Sequence, residues 1–147
     1  MKIALASDEV YAVNTVVLDE LTRLGHEVVT FGALSTGKDE PWVQVAEAAA
    51  LSIITQECAE GVFFCWSGTG ICMAANKVSG IRAALCTDAQ TARAARTWNH
   101  ANVLCLSNRS LAPDVAKEII SAWFESYDPA AGAAGVEQLV ALDVRSR

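Results

Sequence analysis

The chain has 147 residues, 52% hydrophobic and only 19% charged, a balance that excludes a disordered protein and gives one well-cored domain. Its net charge of −6 argues against nucleic acid or an anionic membrane as partner, while a phosphorylated small molecule needs only a few local cations. The five cysteines (58, 65, 72, 86 and 105) form no C-x-x-C and no metal-ligand spacing, so they read as reduced thiols of a cytoplasmic protein, most of them core residues.

Lys2 to Ala6 is a buried-strand pattern ending at Ser7-Asp8, and Met1-Lys2-Ile3 enters it at once, so no signal peptide is expected. Val13, Val16, Val17, Leu21 and Leu24 recur at helical spacing before a C-terminal Gly25. His26 to Phe31 is a second strand, residues 33–41 a polar loop, and 42–56 a helix. Strand three, 61–65, leads through a glycine turn into a helix starting near 70. A fourth strand spans 81–86, a helix 88–98, a fifth strand 102–106, and a helix runs from Pro113 to about Tyr127. The domain is expected to span 1–128, followed over 129–147 by a small-residue linker (129–135) and a short tail helix (136–144) packing on a partner subunit. No apolar run is long enough to cross a membrane.

Strict βα alternation with apolar strands predicts an α/β fold, a Rossmann-like three-layer sandwich around a five-stranded parallel sheet. Ligands bind such sheets beyond the carboxyl ends of the strands, where Asp8, Cys65, Asp88 and Ser107-Asn108-Arg109 are placed. The most informative segment is Cys65-Trp66-Ser67-Gly68-Thr69-Gly70, which joins a strand end to a helix start. A helix N-terminus presents unpaired N–H groups and positive potential, which favour a thiolate and hold an oxyanion beside it. A thiol base next to such donors suits proton abstraction beside a carbonyl, without a metal or cofactor.

These residues resemble the ribose-5-phosphate isomerase type B family, which includes the galactose-6-phosphate isomerase subunits. The likeness covers about residues 1–127. It rests on Ser7-Asp8, on Cys65 with Ser67, Gly68 and Gly70, on the run from Ala74 to Asp88, and on Asn99-x-Ala101-Asn102-Val103-Leu104 with Arg109. The resemblance implies a metal-free aldose–ketose isomerase of a sugar phosphate acting through a cis-enediolate. It also implies a homodimer or dimer of dimers with active sites between subunits. By the same resemblance Cys65 is the base that moves a proton between C1 and C2, and Ser67 and the turn of Trp66, Gly68, Thr69 and Gly70 hold the enediolate oxygen. Asp8, Asn99 and Arg109 contact substrate.

Three positions and one stretch depart from the family pattern. Glu9 follows Asp8 where a histidine is usual, Trp98 replaces the histidine that opens the sugar ring, and Trp66 replaces a glycine. The C-terminal arginine cluster falls on Ala131 to Gly135, which carry no cation. A tetrose 4-phosphate cannot close a furanose ring, because its O4 is esterified, so a short or acyclic substrate accounts for the lost ring opener. Ribose 5-phosphate, or a role as a catalytically degenerate subunit of a heteromer, stays as an alternative. Phosphate candidates are Arg109, then Arg93 and Arg96, though the latter two equally read as a solvated helix face. Trp98 reads either as packing beside substrate or as an interface residue, and His100 as a replacement acid or as nothing. Gly68-Thr-Gly70 with Asp88 imitates a dinucleotide fingerprint, but Met73 stands where its third small residue belongs.

Overall fold

The computed structural model describes residues 1–147. Five strands, β1 (Lys2–Ser7), β2 (Glu27–Gly32), β3 (Glu60–Cys65), β4 (Ala83–Leu85) and β5 (Val103–Ser107), form one sheet in the order β2-β1-β3-β5-β4. Every neighbouring pair is parallel, as the alternation predicts. Seven helices connect or follow them: α1 (Ala12–Arg23), α2 (Ala33–Thr36), α3 (Trp42–Ile54), α4 (Thr69–Asn76), α5 (Ala89–Asn99), α6 (Pro113–Trp123) and α7 (Pro129–Arg145).

The central strands are apolar on both faces because each face meets a helix layer. Ile3, Leu5, Val62, Phe64, Leu104 and Leu106 pack with α1, α5 and α6, around the fully buried Trp123. The alternate residues Ala4, Ala6, Phe63, Cys65, Val103 and Cys105 pack with α3 and α4. Small residues on α3 (Ala46, Ala49, Ala50) let it lie close over β1 and β3. No helix is long and apolar enough to cross a membrane.

Three sequence expectations change. The loop at 33–41 contains the single-turn helix α2, ended by Gly37 in the left-handed region at φ 74°. The fourth strand shortens to Ala83–Leu85. Ahead of it the backbone is pinned by side chains: Asn102 Oδ1 accepts from Arg82 N at 2.8 Å, and Asn76 Oδ1 accepts from Ala83 N at 2.8 Å. Two asparagines that carry the family resemblance are thus structural. The expected linker at 129–135 is instead the start of α7, a continuous 17-residue helix. Asp128 caps it by accepting from Ala130 N, Pro129 occupies the first turn, and the alanines favour helix.

Gly132 shows why that segment is small-residue rich. A Cβ there would stand 2.5 Å from Thr97 O and 2.7 Å from Trp98 O, so α7 crosses α5 at backbone contact. Further along, Asp143 Oδ2 accepts from Ser79 Oγ (2.8 Å) and Gly80 N (2.9 Å), and Arg147 Nη1 donates to Lys77 O at 2.7 Å. The tail therefore packs on its own chain, while Leu139, Val140, Leu142 and Val144 stay exposed.

Candidate active site

The site lies where β1 and β3 turn their connections to opposite faces of the sheet. The β1–β3 register ends at Ser7↔Phe64 and the β3–β5 register at Cys65↔Ser107. Asp8 and Cys65 thus leave adjacent strands side by side, with Ser107 to Arg109 on the third. Cys65 is 5% exposed, with its side chain in the α3/α4 layer.

Directly after Cys65 the chain turns through Gly68, whose φ of 79° lies in the left-handed region that favours glycine. A Cβ on Gly68 would meet Leu106 C at 2.9 Å, so glycine is required both by conformation and by the approach to β5. Helix α4 starts at Thr69, and the first-turn N–H groups of Thr69, Gly70 and Ile71 have no intrahelical acceptor. Thr69 N reaches only Ser67 Oγ, at a long 3.4 Å, and Ser67 Oγ pairs with Thr69 Oγ1 at 2.6 Å. Two hydroxyls and a set of free donors thus gather at the start of α4, in the turn that directly follows the thiol at the end of β3. Gly70 lies under Trp42, with any Cβ falling 3.2 Å from the indole ring.

On the β1 side, Asp8 is 8% exposed and its Oδ1 is buried without a partner. Burial, then the neighbouring Glu9 charge, raises its carboxyl above the ordinary aspartate range. Glu9 accepts from Tyr11 Oη at 3.0 Å. Beneath them Asn14 Nδ2 donates to Asn108 Oδ1 (2.8 Å) and Asn108 Nδ2 donates to Ser7 Oγ (3.0 Å), locking α1, β5 and β1 together. Sequence reasoning did not single out Tyr11, Asn14 or Trp42. A tryptophan directly after Pro41, at the end of the longest loop, was the available signal for the last of these.

The raised Asp8 pKa has a measurable consequence. The folded state holds this proton more tightly than the unfolded state, so Asp8 costs stability as pH rises through its folded pKa. Asp8→Asn is expected to melt at higher temperature than the parent at pH 7 to 8. That advantage should shrink in acid, where Asp8 is protonated in both states. Thermal melts across pH check this, and a pH-independent difference would contradict it.

Other candidates are placed differently. Asp88 is the N-cap of α5, accepting from Thr91 N at 2.7 Å, as expected for a capping role. Arg93 is taken up by Glu125 through two bonds of 2.8 and 2.9 Å. Arg96 is largely buried, 2.7 Å from Glu60, and lies over Trp123 and Tyr127. Two of the three arginines that the sequence offers for phosphate are thus committed within the chain, for a reason invisible locally: their partners lie 32 and 36 residues away. Arg109 forms no ion pair, and its guanidinium lies 4.7 Å from the Trp66 ring centroid.

Trp98 and Asn99 end α5, which runs antiparallel to the strands, and so they sit at the opposite edge of the sheet from Cys65. Four residue steps separate the Gly61↔Val103 pair near them from Cys65↔Ser107, roughly 13 Å along the strand. Asn99 instead lines a groove of about 450 Å³ with Asn76, Arg82, Leu139, Val140 and Asp143. Trp98 is 57% exposed. His100 follows in the left-handed region (φ 46°), its Nε2 buried without a partner and its ring 5.6 Å from Tyr127.

Cys58, Cys86 and Cys105 are core residues as expected, but Cys72 is half-buried. Contact with the Cys105 thiol, opposed by burial, lowers the Cys72 pKa to about 7. Burial raises Cys105 well above the ordinary thiol range and Cys86 to about 12. Iodoacetamide is therefore expected to label Cys72 with a half-maximal rate near pH 7, ahead of Cys86 and Cys105. Peptide mapping across pH checks this, and preferential labelling of Cys86 would contradict it.

A parallel α/β sheet thus carries a thiol, free helix-start donors and an unpaired arginine at its carboxyl edge, a layout suited to a small anionic ligand. Residues 3–138 match the family described as Ribose/Galactose Isomerase. The chain is 35% identical to the D-erythrulose-4-phosphate isomerase of Pectobacterium atrosepticum, over 91% of this chain and 89% of that one. It is 32% identical to ribose-5-phosphate isomerase B of Escherichia coli, over 98% and 97%. Its structure overlays on ribose-5-phosphate isomerase B of Clostridium thermocellum with a TM-score of 0.90, at 32% identity and full coverage of both chains. The chain belongs to the ribose/galactose isomerase family and is a sugar-phosphate isomerase.

Proposed function

We propose that the protein interconverts an aldose and a ketose of a four-carbon sugar phosphate, with Cys65 as the base. Cys65 Sγ takes the proton from C2 of the aldose, and the electron pair moves through C1 to O1, giving a cis-enediolate. The free N–H groups at the start of α4, with the Ser67 and Thr69 hydroxyls, hold the developing charge. The hydroxyl proton passes from O2 to O1, and the thiol returns its proton to C1 to complete the ketose. A preorganised donor of this kind is worth roughly 3–4 kcal/mol and the positioned base about 10²- to 10⁴-fold. The observation that carries the reading is the juxtaposition of Cys65 with the Gly68 turn and with Asp8, whose free oxygen faces no partner.

The four-carbon assignment is supported by Trp98 in place of a ring-opening histidine and by the similarity to an enzyme named for erythrulose 4-phosphate. Asp8, Glu9 and Arg109 contact the substrate in this reading, with Arg109 as the phosphate cation. Arg93 and Arg96 drop out, since their carboxylate partners occupy them. Trp98 and Asn99 reach the site from a second copy of the chain, which their distance from Cys65 and the exposure of Trp98 both favour. Ribose 5-phosphate is the second reading, favoured by the near-complete overlap with ribose-5-phosphate isomerase B.

Incubation with erythrose 4-phosphate in D2O, followed by NMR, tests the reaction. The proposal expects erythrulose 4-phosphate to form with partial deuterium incorporation at C1. No exchange and no ketose, with the protein folded and dimeric, would contradict it.

A further inference from the structure

The end of β5 is laced to the end of β3 by consecutive bonds. Asn108 N donates to Cys65 O at 2.9 Å, Ser107 Oγ to Trp66 O at 2.9 Å, and Arg109 N to Trp66 O at 3.0 Å. Ser110 N closes this turn onto Ser107 Oγ at 3.2 Å. The peptide that carries Cys65 and Trp66 therefore also fixes the backbone of Arg109.

On the outer side of the same junction, the Arg109 guanidinium stacks over the Trp66 indole, although both side chains are exposed. A long arginine on an exposed turn ordinarily samples many rotamers. Stacking on a tryptophan face selects among them without consuming the guanidinium's hydrogen-bond donors, as a carboxylate partner would. Arg93, Arg96 and Arg147 all have carboxylate partners, and Arg109 has none. Backbone and side chain together set how far this cation stands from the Cys65 thiol.

We infer that Trp66 is a chain-length gauge: it holds Arg109 at a set reach from Cys65, so that the pocket takes a phosphate ester a fixed number of bonds from the reacting carbonyl. Trp66 is a positioning residue in this role, acting through Arg109. The inference rests on the sugar-phosphate reading of the site and adds what measures the sugar. Removing the indole frees Arg109 to follow a phosphate one carbon further away. Substituting lysine for Arg109 keeps the charge but removes the stacking plane.

The test is calorimetric binding of two acids that cannot isomerise, 3-phosphoglycerate and 4-phosphoerythronate, whose carboxylate oxygens take the places of O1 and O2 in the four- and five-carbon enediolates, to the parent protein and to Trp66→Gly, Trp66→Phe and Arg109→Lys. The parent is expected to prefer 3-phosphoglycerate, the match for the four-carbon sugar. In Trp66→Gly that preference should fall about 5- to 30-fold, the range of a cation–π contact as it becomes desolvated. Trp66→Phe should fall between, and Arg109→Lys should lose discrimination like the glycine variant. Binding of both acids with a ratio unchanged in all three folded variants overturns the gauge and leaves the sugar-phosphate reading standing. Failure of the parent to bind either acid overturns both together.

Discussion

Cys65→Ala is expected to lower kcat by about 10²- to 10⁴-fold, the range by which a positioned base accelerates proton transfer. The fold should survive the change. Cys65 is buried among Phe63, Ile71 and Cys105, and losing one sulfur there costs on the order of 1 kcal/mol, comparable to trimming one methyl from a core. Initial rates and a thermal melt on the same preparation separate the two effects. Cys72→Ala is the necessary companion, because the Cys72 thiol titrates near 7 and would otherwise compete as an explanation of any pH dependence. It should keep most of the activity. Retention of more than a tenth of the parent rate in Cys65→Ala would remove Cys65 from the chemistry.

The largest stability effect is expected from Arg96→Ala. Arg96, on α5, has four partners: it pairs with Glu60 at the start of β3, donates from Nη1 to Ala101 O at 2.5 Å, and lies 4.9 Å over Trp123 and 5.3 Å over Tyr127. Glu60 also accepts from Trp123 Nε1 at 2.9 Å. Truncating Arg96 leaves the largely buried Glu60 carboxylate, its side chain 12% exposed, with that one neutral donor; breaking a fully buried pair costs about 3–5 kcal/mol, and this one falls toward the lower end. For a domain of this length that lowers the melting temperature by about 10 °C or more. The exposed Arg93–Glu125 pair is the control, and Arg93→Ala should cost far less, because water screens an ion pair at the surface. Equal effects of the two substitutions, measured by denaturant titration, would contradict this division of roles.

Much of the architecture was legible because the strands are fully buried. Val62 to Cys65 and Val103 to Leu106 are continuous apolar runs, and with helices alternating between them such runs fit a parallel sheet covered on both faces. Cys65, the glycine turn and the Asp88 cap were legible because each is a local arrangement with its own chemistry. The tail was misread because alanine and glycine next to proline look like a linker until α5 lies against them. At Gly132 the composition records a close helix crossing. Arg96 and Arg93 looked available because nothing near them in the sequence names Glu60 or Glu125 as partners. The position of Trp98 and Asn99 at the far sheet edge follows from the direction of α5. From the chain alone they belong to the site only if a second copy brings them there.

The preference for four carbons over five is the claim on which the reading of Trp66, Trp98 and Arg109 depends. The most direct measurement is kcat/KM of the purified protein for erythrose 4-phosphate and for ribose 5-phosphate under identical conditions. The expected ratio is at least about 100 in favour of the tetrose, since the pentose arrives mostly as a closed ring and, on the proposed role of Trp66, has to displace Arg109, worth roughly 3 kcal/mol together. Comparable values for the two sugars would contradict it and return the protein to ribose 5-phosphate isomerisation.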